Sequence, residues 1–274
     1  MKASDAPALS LYGVDFSGAK DAGNKIWIAV AKTTGAGLEV TDCFPAKNLP
    51  GSGSDRDRAL IALRELIERQ SHAVFGLDFP FGLPLEPADS GTWEDFVHAF
   101  PSRYPDSDAF HVVSHRRTRG KEEKRWTDKD SRTPLSAYNL RLYRQTYYGI
   151  CLILRPLVEQ RKACVLPMQQ PMAGRPWLIE VCPASTLARK PGSPPYKCGK
   201  AGRGERSRLL ASLQAKYPLS IPRTETKSAI LDQGGGDAVD AVVAVVAVFR
   251  NLPLGFRPAS GSESYTKIEG YVYT

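Results

Sequence analysis

The segment LYGVDFSGAK, residues 11–20, opens the first strongly apolar part of the chain and ends its apolar run with an acid, Asp15. The run predicts a strand over residues 9–16, and the glycine-containing residues after it predict a turn. A carboxylate on a buried strand is costly unless another group pairs with it or coordinates through it. The function of this chain therefore depends on which other side chains meet Asp15.

Hydrophobic periodicity predicts a mixed α/β protein. The first three strands are joined by short turns, which indicates an antiparallel meander. Ser54 is the expected N-cap of the next helix, in which Leu60, Leu63 and Ile67 share one face. The fourth strand is nearly all apolar, as strands buried on both faces of a sheet are. The predicted elements are strands over residues 9–16, 25–33, 38–45, 73–79 and 177–183, helices over 55–70, 135–159, 203–216 and 237–251, and an edge strand within 268–274.

The chain of 274 residues, 42% of them hydrophobic, can form one sizeable core. We expect a single domain over residues 1–274, with an insertion at about 84–133 that is mostly loop apart from a short helix near TWEDFVHAF. The N-terminus MKASDAPALS lacks the apolar run of a signal peptide, and no stretch reaches the roughly 20 apolar residues of a membrane span. The sequence therefore predicts a soluble, cytoplasmic protein without a membrane partner.

Cysteine and histidine usage argues against two other classes of site. The five cysteines are odd in number, widely spaced and free of CxxC pairs, so they predict reduced thiols and neither a disulfide scaffold nor a zinc ribbon. The four histidines show no HExxH pattern. A nucleophilic Cys182 would need a basic partner, and the sequence identifies none.

The net charge is +8 and the pI is about 9.2, with much of the positive charge in two segments. Residues 114–132 hold eight basic and four acidic residues, and residues 197–208 hold five basic and one acidic. Such runs are often only solvated loops. Basic residues beside aromatic ones also suit a polyanion, through its phosphates and its stacked bases. The residues predicted to contact nucleic acid, DNA or RNA, are Lys20, Arg116, Arg117, Arg119, Arg125 and Trp126.

Five acidic residues lie in or beside predicted buried elements. Asp15 could bind a turn, Asp78 could begin an Asx turn, and Asp237 could be a helix N-cap. Asp240 lies three residues into an all-apolar helix, and Glu180 lies inside the strand WLIEVCP, so both charges need a partner. Carboxylates that converge repel one another, and a hard cation with oxygen ligands, Mg²⁺ or Mn²⁺, relieves the repulsion.

The order of these motifs resembles the domain of unknown function 429 family, whose members are described as predicted ribonuclease H-like nucleases. The motifs are GVD (13–15), LDFPFGLP (77–84), RQTYYG (144–149), EVCPAS (180–185), DAVDA (237–241) and EGYVY (269–273). The resemblance covers most of the chain. It implies an α/β, ribonuclease H-like mixed sheet, an antiparallel three-strand meander plus parallel strands, flanked by helices. Relatives often have His-Pro-Glu where this chain has Cys182-Pro183-Ala184, so no catalytic role is predicted there.

The resemblance also implies a metal-dependent phosphodiesterase that acts on nucleic acid. The implied catalytic residues are Asp15, Asp78, Glu180 and Asp240, and the implied ligands of Mg²⁺ or Mn²⁺ are Asp15, Asp78, Asp237 and Asp240. Two alternatives stay open. One is a phosphotransferase or ATPase of the actin and sugar-kinase type, which shares the core but usually contains two copies of it. The other is a catalytically silent nucleic-acid-binding scaffold.

Overall fold

Apolar, β-branched segments form one mixed sheet at the centre of the molecule. A computed structural model describes residues 9–35, 37–84, 91–188 and 194–274, and for Arg117 the backbone alone. The strands are β1 Ser10–Asp15, β2 Trp27–Thr34, β3 Gly37–Pro45, β4 Ala73–Leu77, β5 Cys164–Leu166, β6 Trp177–Val181, β7 Leu219–Ser220 and β8 Val272–Tyr273.

The pairing of these strands confirms the predicted fold class. The order across the sheet is β5-β6-β4-β1-β2-β3-β7, and β8 pairs with β6. β1, β2 and β3 form the antiparallel meander, whereas β4 is parallel to β1 and β6 is parallel to β4. The central part is thus the mixed sheet that a ribonuclease H-like fold requires, with helices on both faces.

The described part of the chain also contains twelve α-helices. They are α1 Ala22–Lys25, α2 Arg56–Glu68, α3 Trp93–Arg103, α4 Ser107–Arg117, α5 Trp126–Asp130, α6 Tyr143–Tyr148, α7 Arg155–Glu159, α8 Pro183–Leu187, α9 Arg203–Lys216, α10 Thr224–Asp232, α11 Asp237–Asn251 and α12 Glu263–Glu269. A π-helical segment, Gly149–Leu154, joins α6 to α7. None of the described helices is long and apolar enough to cross a membrane.

The alternation of side chains along each strand sorts the core onto two faces of the sheet. Tyr12 and Val14 of β1 pack on the face covered by α2 and the π-helical segment. Leu11 packs on the opposite face, which α11 covers. Residues 13 and 15 share the side of Leu11 by the same alternation, so Asp15 leaves β1 on the α11 face. This alternation decides which acids can meet.

Several predicted boundaries differ from the structure for local reasons. The helix expected over residues 135–159 begins only at Tyr143, because the Asn139 side chain accepts a hydrogen bond from the Arg141 amide (2.8 Å) and holds a turn instead. Asp55, not Ser54, caps α2, since its carboxylate accepts from the Arg58 amide. The insertion expected to be mostly loop contains α3, α4 and α5. The short strands β5 and β7 and the helices α10 and α12 were not predicted.

Candidate active site

Two predicted acids leave neighbouring parallel strands side by side. Asp15 is the last residue of β1, and Asp78 directly follows the last residue of β4. Val14 pairs with Leu77 across the two strands, and the Asp78 amide donates to the Val14 carbonyl at 3.0 Å. The carboxyl ends of parallel strands meet at one edge of a sheet, which is the usual place for a site in such folds. Both side chains are partly exposed there.

Glycines in β1 and β4 let α11 lie against the sheet and so bring a third acid to the same place. A Cβ on Gly13 would lie 2.1 Å from the Ala241 carbonyl oxygen, and one on Gly76 would lie 2.7 Å from a methyl group of Val248. The absence of side chains at these two positions is therefore needed for the close contact. Because Ala241 touches β1, its neighbour Asp240 is held beside the end of that strand.

Asp237 and Asp240 occupy the first turn of α11, where negative charge is favoured by the helix dipole. Gly236 occupies the N-cap position, which was predicted for Asp237. The Gln233 side chain binds Asp237 twice, by donating to its carboxylate (2.9 Å) and accepting from its amide (2.8 Å). Asp240 is only 3% exposed.

Asp15, Asp78, Asp237 and Asp240 line one cleft of about 410 Å³, which we call the acidic cleft. Other side chains on its walls are those of Lys25, Arg141, Gln145, Cys182, Tyr196 and Lys197. The Gln145 amide donates to the Asp78 carbonyl at 2.9 Å and so steadies the turn after β4. The cleft thus combines acids at its base with cations beside them.

The acids of the cleft perturb one another. Burial raises the pKa of Asp15 well above its ordinary value, and the charges of Asp240 and Asp78 raise it further. Burial, followed by the charge of Asp240, raises the pKa of Asp78 to about 8. Burial also raises the pKa of Asp237. Near neutral pH the cleft therefore needs either bound protons or a nearby positive charge.

Lys197 supplies one positive charge inside the acidic cleft. Its ammonium group forms an ion pair with one carboxylate oxygen of Asp240, and the Tyr196 hydroxyl donates to the other at 2.7 Å. Burial lowers the pKa of Lys197, but the charges of Asp240 and Asp15 outweigh this effect and hold the pKa above its ordinary value. This pair was not predicted from the sequence. The local indication of the pair in the sequence is an aromatic residue, Tyr196, directly before the basic segment 197–208.

Glu180 meets a cation rather than the other acids. Leu178 and Glu180 alternate with Ile179 along β6, so they share the face opposite α11. Both oxygens of Glu180 accept hydrogen bonds from the guanidinium of Arg125, and one also accepts from the Phe81 amide at 2.9 Å. Glu180 still borders the cleft. Its carboxylate, for which the resemblance implied a catalytic role, is already paired with a guanidinium.

The predicted contact of Arg125 with nucleic acid is wrong. Its side chain is 1% exposed, because its guanidinium also donates to the Asp128 carboxylate at 2.8 and 2.9 Å and to the Glu269 carbonyl at 3.0 Å. All its donors face buried acceptors, so none is left for a phosphate. The residue holds α5, β6 and the end of α12 together.

The other residues predicted to bind nucleic acid lie on the surface or outside the description. The side chains of Lys20, Arg116 and Arg119 are exposed, whereas that of Arg117 lies outside the described atoms. Trp126 is 55% exposed, and the ammonium of Lys129 lies 4.2 Å from the centre of its ring. The predicted contacts of these residues stay predictions.

The donors of the acidic cleft suit a hard divalent cation, since all are carboxylate oxygens. The ammonium of Lys197 already occupies a position beside the Asp240 carboxylate where a metal cation could bind. Within the described part of the chain, however, no three His, Cys, Asp or Glu side chains are gathered into a ready metal-binding group. Burial raises the pKa of Cys182 to about 12, so its thiol is protonated near neutral pH and does not offer a thiolate.

Comparisons with known proteins identify a family. A comparison with curated proteins returns no match. Among solved structures, the chain is similar to the crystal structure of the yeast mitochondrial Holliday junction resolvase Ydc2, with 12% identity, a TM-score of 0.40, and coverage of 90% of this chain and 82% of that one. A likeness of that degree assigns no activity. A family model matches residues 13–252, and the chain therefore belongs to the family described as Protein of unknown function (DUF429).

Proposed function

We propose that the acidic cleft is the active site of a metal-dependent phosphodiesterase, a nuclease that acts on DNA or RNA. One observation carries the proposal. Asp15, Asp78 and Asp240 come from three different elements to one cleft, and burial and mutual repulsion raise the pKa of the first two. Such a group of like charges destabilises the fold unless a bound cation neutralises it. Acids with perturbed pKa values in a cleft are typical of active sites.

In this proposal Asp15, Asp78 and Asp240 hold Mg²⁺ or Mn²⁺, and Asp237 is a further ligand or orients one. When bound, the metal would supply activation of water and stabilisation of the departing oxygen of a phosphodiester. Gln145 keeps the turn that carries Asp78 in place through its bond to the Asp78 carbonyl. Glu180, paired with Arg125, has a positioning role at the border of the cleft.

Cations around the cleft would bind the substrate. Lys25 and Arg141 are exposed residues on its walls, where they can neutralise phosphates on either side of the cleaved bond. Lys20, Arg116 and Arg119 would contact phosphates further away, and the exposed ring of Trp126 would stack on a base. Contacts to phosphates carry no information about base sequence, so these residues would bind nucleic acids of any sequence.

Replacement of one acid tests the proposal. Asp15→Asn should abolish cleavage of single- and double-stranded DNA and RNA in Mg²⁺ or Mn²⁺, because it replaces one of the carboxylates that hold the water-activating metal by a neutral amide. The matched control is Asp232→Asn, which removes an exposed carboxylate that pairs with Arg203 outside the cleft. Its rate should equal that of the wild type.

Melting curves with and without metal complete the test. The wild-type protein should melt at a higher temperature when Mn²⁺ is added, since a ligand that binds the folded state stabilises it by mass action. The melting temperature of Asp15→Asn should rise much less. The proposal of a nuclease would be contradicted by a wild-type protein that binds nucleic acid but neither cleaves it nor is stabilised by metal. That result would favour the alternative of a catalytically silent nucleic-acid-binding scaffold.

A further inference from the structure

We propose that Lys197 is a built-in counter-cation of the acidic cleft, which binds Asp240 in the metal-free protein and is displaced when a divalent cation binds. This inference rests on the proposed metal-dependent function. It assigns to Lys197 a role that the predicted ligand set does not contain. The device would couple metal binding to the release of an ammonium group into the cleft.

The contacts of Asp240 show why a metal would have to displace Lys197. One carboxylate oxygen accepts from the Tyr196 hydroxyl at 2.7 Å, and the other pairs with the Lys197 ammonium. The Asp240 side chain is 4% exposed, so water cannot replace these partners in place. A divalent cation needs at least one of the two oxygens, and two cations at one carboxylate repel each other.

The Lys197 side chain can leave, whereas Asp240 cannot. Half of the Lys197 side chain is exposed, so its ammonium reaches Asp240 from the solvent side of the cleft. A lysine has a long, flexible stem, and its charged end can turn into water at small cost. Asp240, in contrast, is buried on α11. Displacement of Lys197 therefore requires only a change of the lysine rotamer.

The surrounding structure is built to hold this lysine. Gly236, at the start of α11, leaves room for it, since a Cβ there would lie 2.8 Å from Cγ of Lys197. The guanidinium of Arg206, which is 0% exposed, donates to the Tyr196 carbonyl at 2.7 Å and to the Gly199 carbonyl at 3.1 Å. The backbone on both sides of Lys197 is thus anchored, while the end of its side chain stays movable.

Calorimetry with Mn²⁺ on metal-stripped protein tests the displacement. Lys197→Met removes the charge and keeps the length of the stem, so it should bind Mn²⁺ about tenfold more tightly than the wild type, a change of about 1.4 kcal/mol. Lys197→Arg, which restores the charge, should not bind more tightly than the wild type. The matched control is Lys32→Met on β2, whose ammonium pairs with Glu39 at 3.0 Å and which lies beside Ser10, at the end of β1 away from the acidic cleft. It should leave the affinity nearly unchanged.

Labelling of the wild-type protein gives a second measurement that needs no variant. An amine-reactive acetylating reagent, followed by mass spectrometry, should modify Lys197 severalfold faster in Mn²⁺ than in chelator, because the ammonium is no longer paired. Lys32 in the same sample, which is paired with Glu39 away from the cleft, should react at one rate in both conditions.

The outcomes separate this inference from the proposed function. Measurable Mn²⁺ affinities that are equal for wild type and Lys197→Met, or labelling of Lys197 that metal does not change, would overturn the counter-cation and leave the nuclease standing. Calorimetry that detects no Mn²⁺ binding to either protein would overturn both.

Discussion

Asp15 and Asp78 illustrate how a single residue's position in a strand decides its chemistry. Each continues the side of its strand that faces α11, because residues 13 and 15 alternate with Val14, and Asp78 follows Gly76 by two positions. Glu180, on β6, alternates to the other face and meets Arg125 instead. A shift of one residue in any of these strands would exchange the two environments.

The raised pKa of Asp78 predicts a pH dependence for the metal-free protein. The folded state keeps the Asp78 proton up to a pKa of about 8, whereas the unfolded chain releases it near the ordinary value of 3.8. The folded state therefore binds more protons between these values, and stability should fall as pH rises from about 4 to about 8. In chelator, Asp78→Asn should melt at a higher temperature than the wild type at pH 8 and near the same temperature at pH 4.

Melting curves in chelator from pH 4 to 9 would measure this difference. Asp232→Asn, which alters an exposed acid beside Arg203, should follow the wild type at every pH. A gap between Asp78→Asn and wild type that does not widen with pH would show that the Asp78 proton is not responsible.

At the scale of elements, the site depends on how closely α11 and the sheet pack. The GVD motif has two parts with different roles, since Gly13 admits the backbone of α11 and Asp15 supplies the acid. The first turn of α11 then carries Asp237 and Asp240 to the sheet edge. The rest of α11 is buried among apolar side chains, which holds the helix in that position.

Arg125 joins three elements, and its removal should cost stability rather than nucleic-acid affinity. Arg125→Ala leaves the Glu180 and Asp128 carboxylates buried without their cation, and breaking such a pair costs about 3 to 5 kcal/mol. Arg116→Ala, at an exposed position of α4, should change the free energy of unfolding by less than about 0.5 kcal/mol. Urea unfolding of both variants measures the difference. Equal, small effects would refute the structural role of Arg125.

The whole molecule combines a net charge of +8 with a concentration of acids at one end of its sheet. A positive surface attracts a polyanion, and in the proposed function the acids, once neutralised by a cation, are where the backbone of the polyanion reacts. All the described strands belong to one sheet, and we propose that the chain is one domain in which residues 84–133 form an insertion. Within that insertion α5 is bonded to the chain after α12, for example through the Thr127 hydroxyl and the Val272 amide (2.8 Å).

The surface charge of the insertion predicts a salt effect. Replacement of Arg116 and Arg119 by Ala should weaken binding to duplex DNA and lower the slope of log affinity against log salt by about 2, since each lost phosphate contact releases about one counterion fewer. Filter binding between about 50 and 200 mM salt measures the slope.

A control with the same loss of charge distinguishes contact from long-range attraction. Arg161 and Lys162 are exposed and precede β5, at the amino ends of the parallel strands and so away from the acidic cleft. Their replacement by Ala should leave the slope unchanged. If the two double variants had equal slopes, Arg116 and Arg119 would make no direct contact with the phosphates of DNA.

The sequence by itself determined the elements whose signals are local. The bounds predicted for α9 and α11, residues 203–216 and 237–251, agree with the structure, and a glycine directly before each helix and a proline two residues after it mark these ends in the sequence. The meander, the buried fourth strand and the strand that carries Glu180 were also predicted from alternation and turns. The same local patterns placed Asp15, Asp78 and Asp240 at the ends of buried elements.

Only the tertiary structure decided the partners of the charged groups. Tyr196 and Asp240 are 44 residues apart in the chain, and Arg125 and Glu180 are 55 apart, so no local pattern links them. Arg125 lies in a basic run that predicts exposure, yet the buried carboxylates of Glu180 and Asp128 bind it. The short strands β5 and β7 exist only because neighbouring strands supply their hydrogen-bond partners. Desolvation and pairing of charge depend on three-dimensional neighbours, which a sequence pattern does not contain.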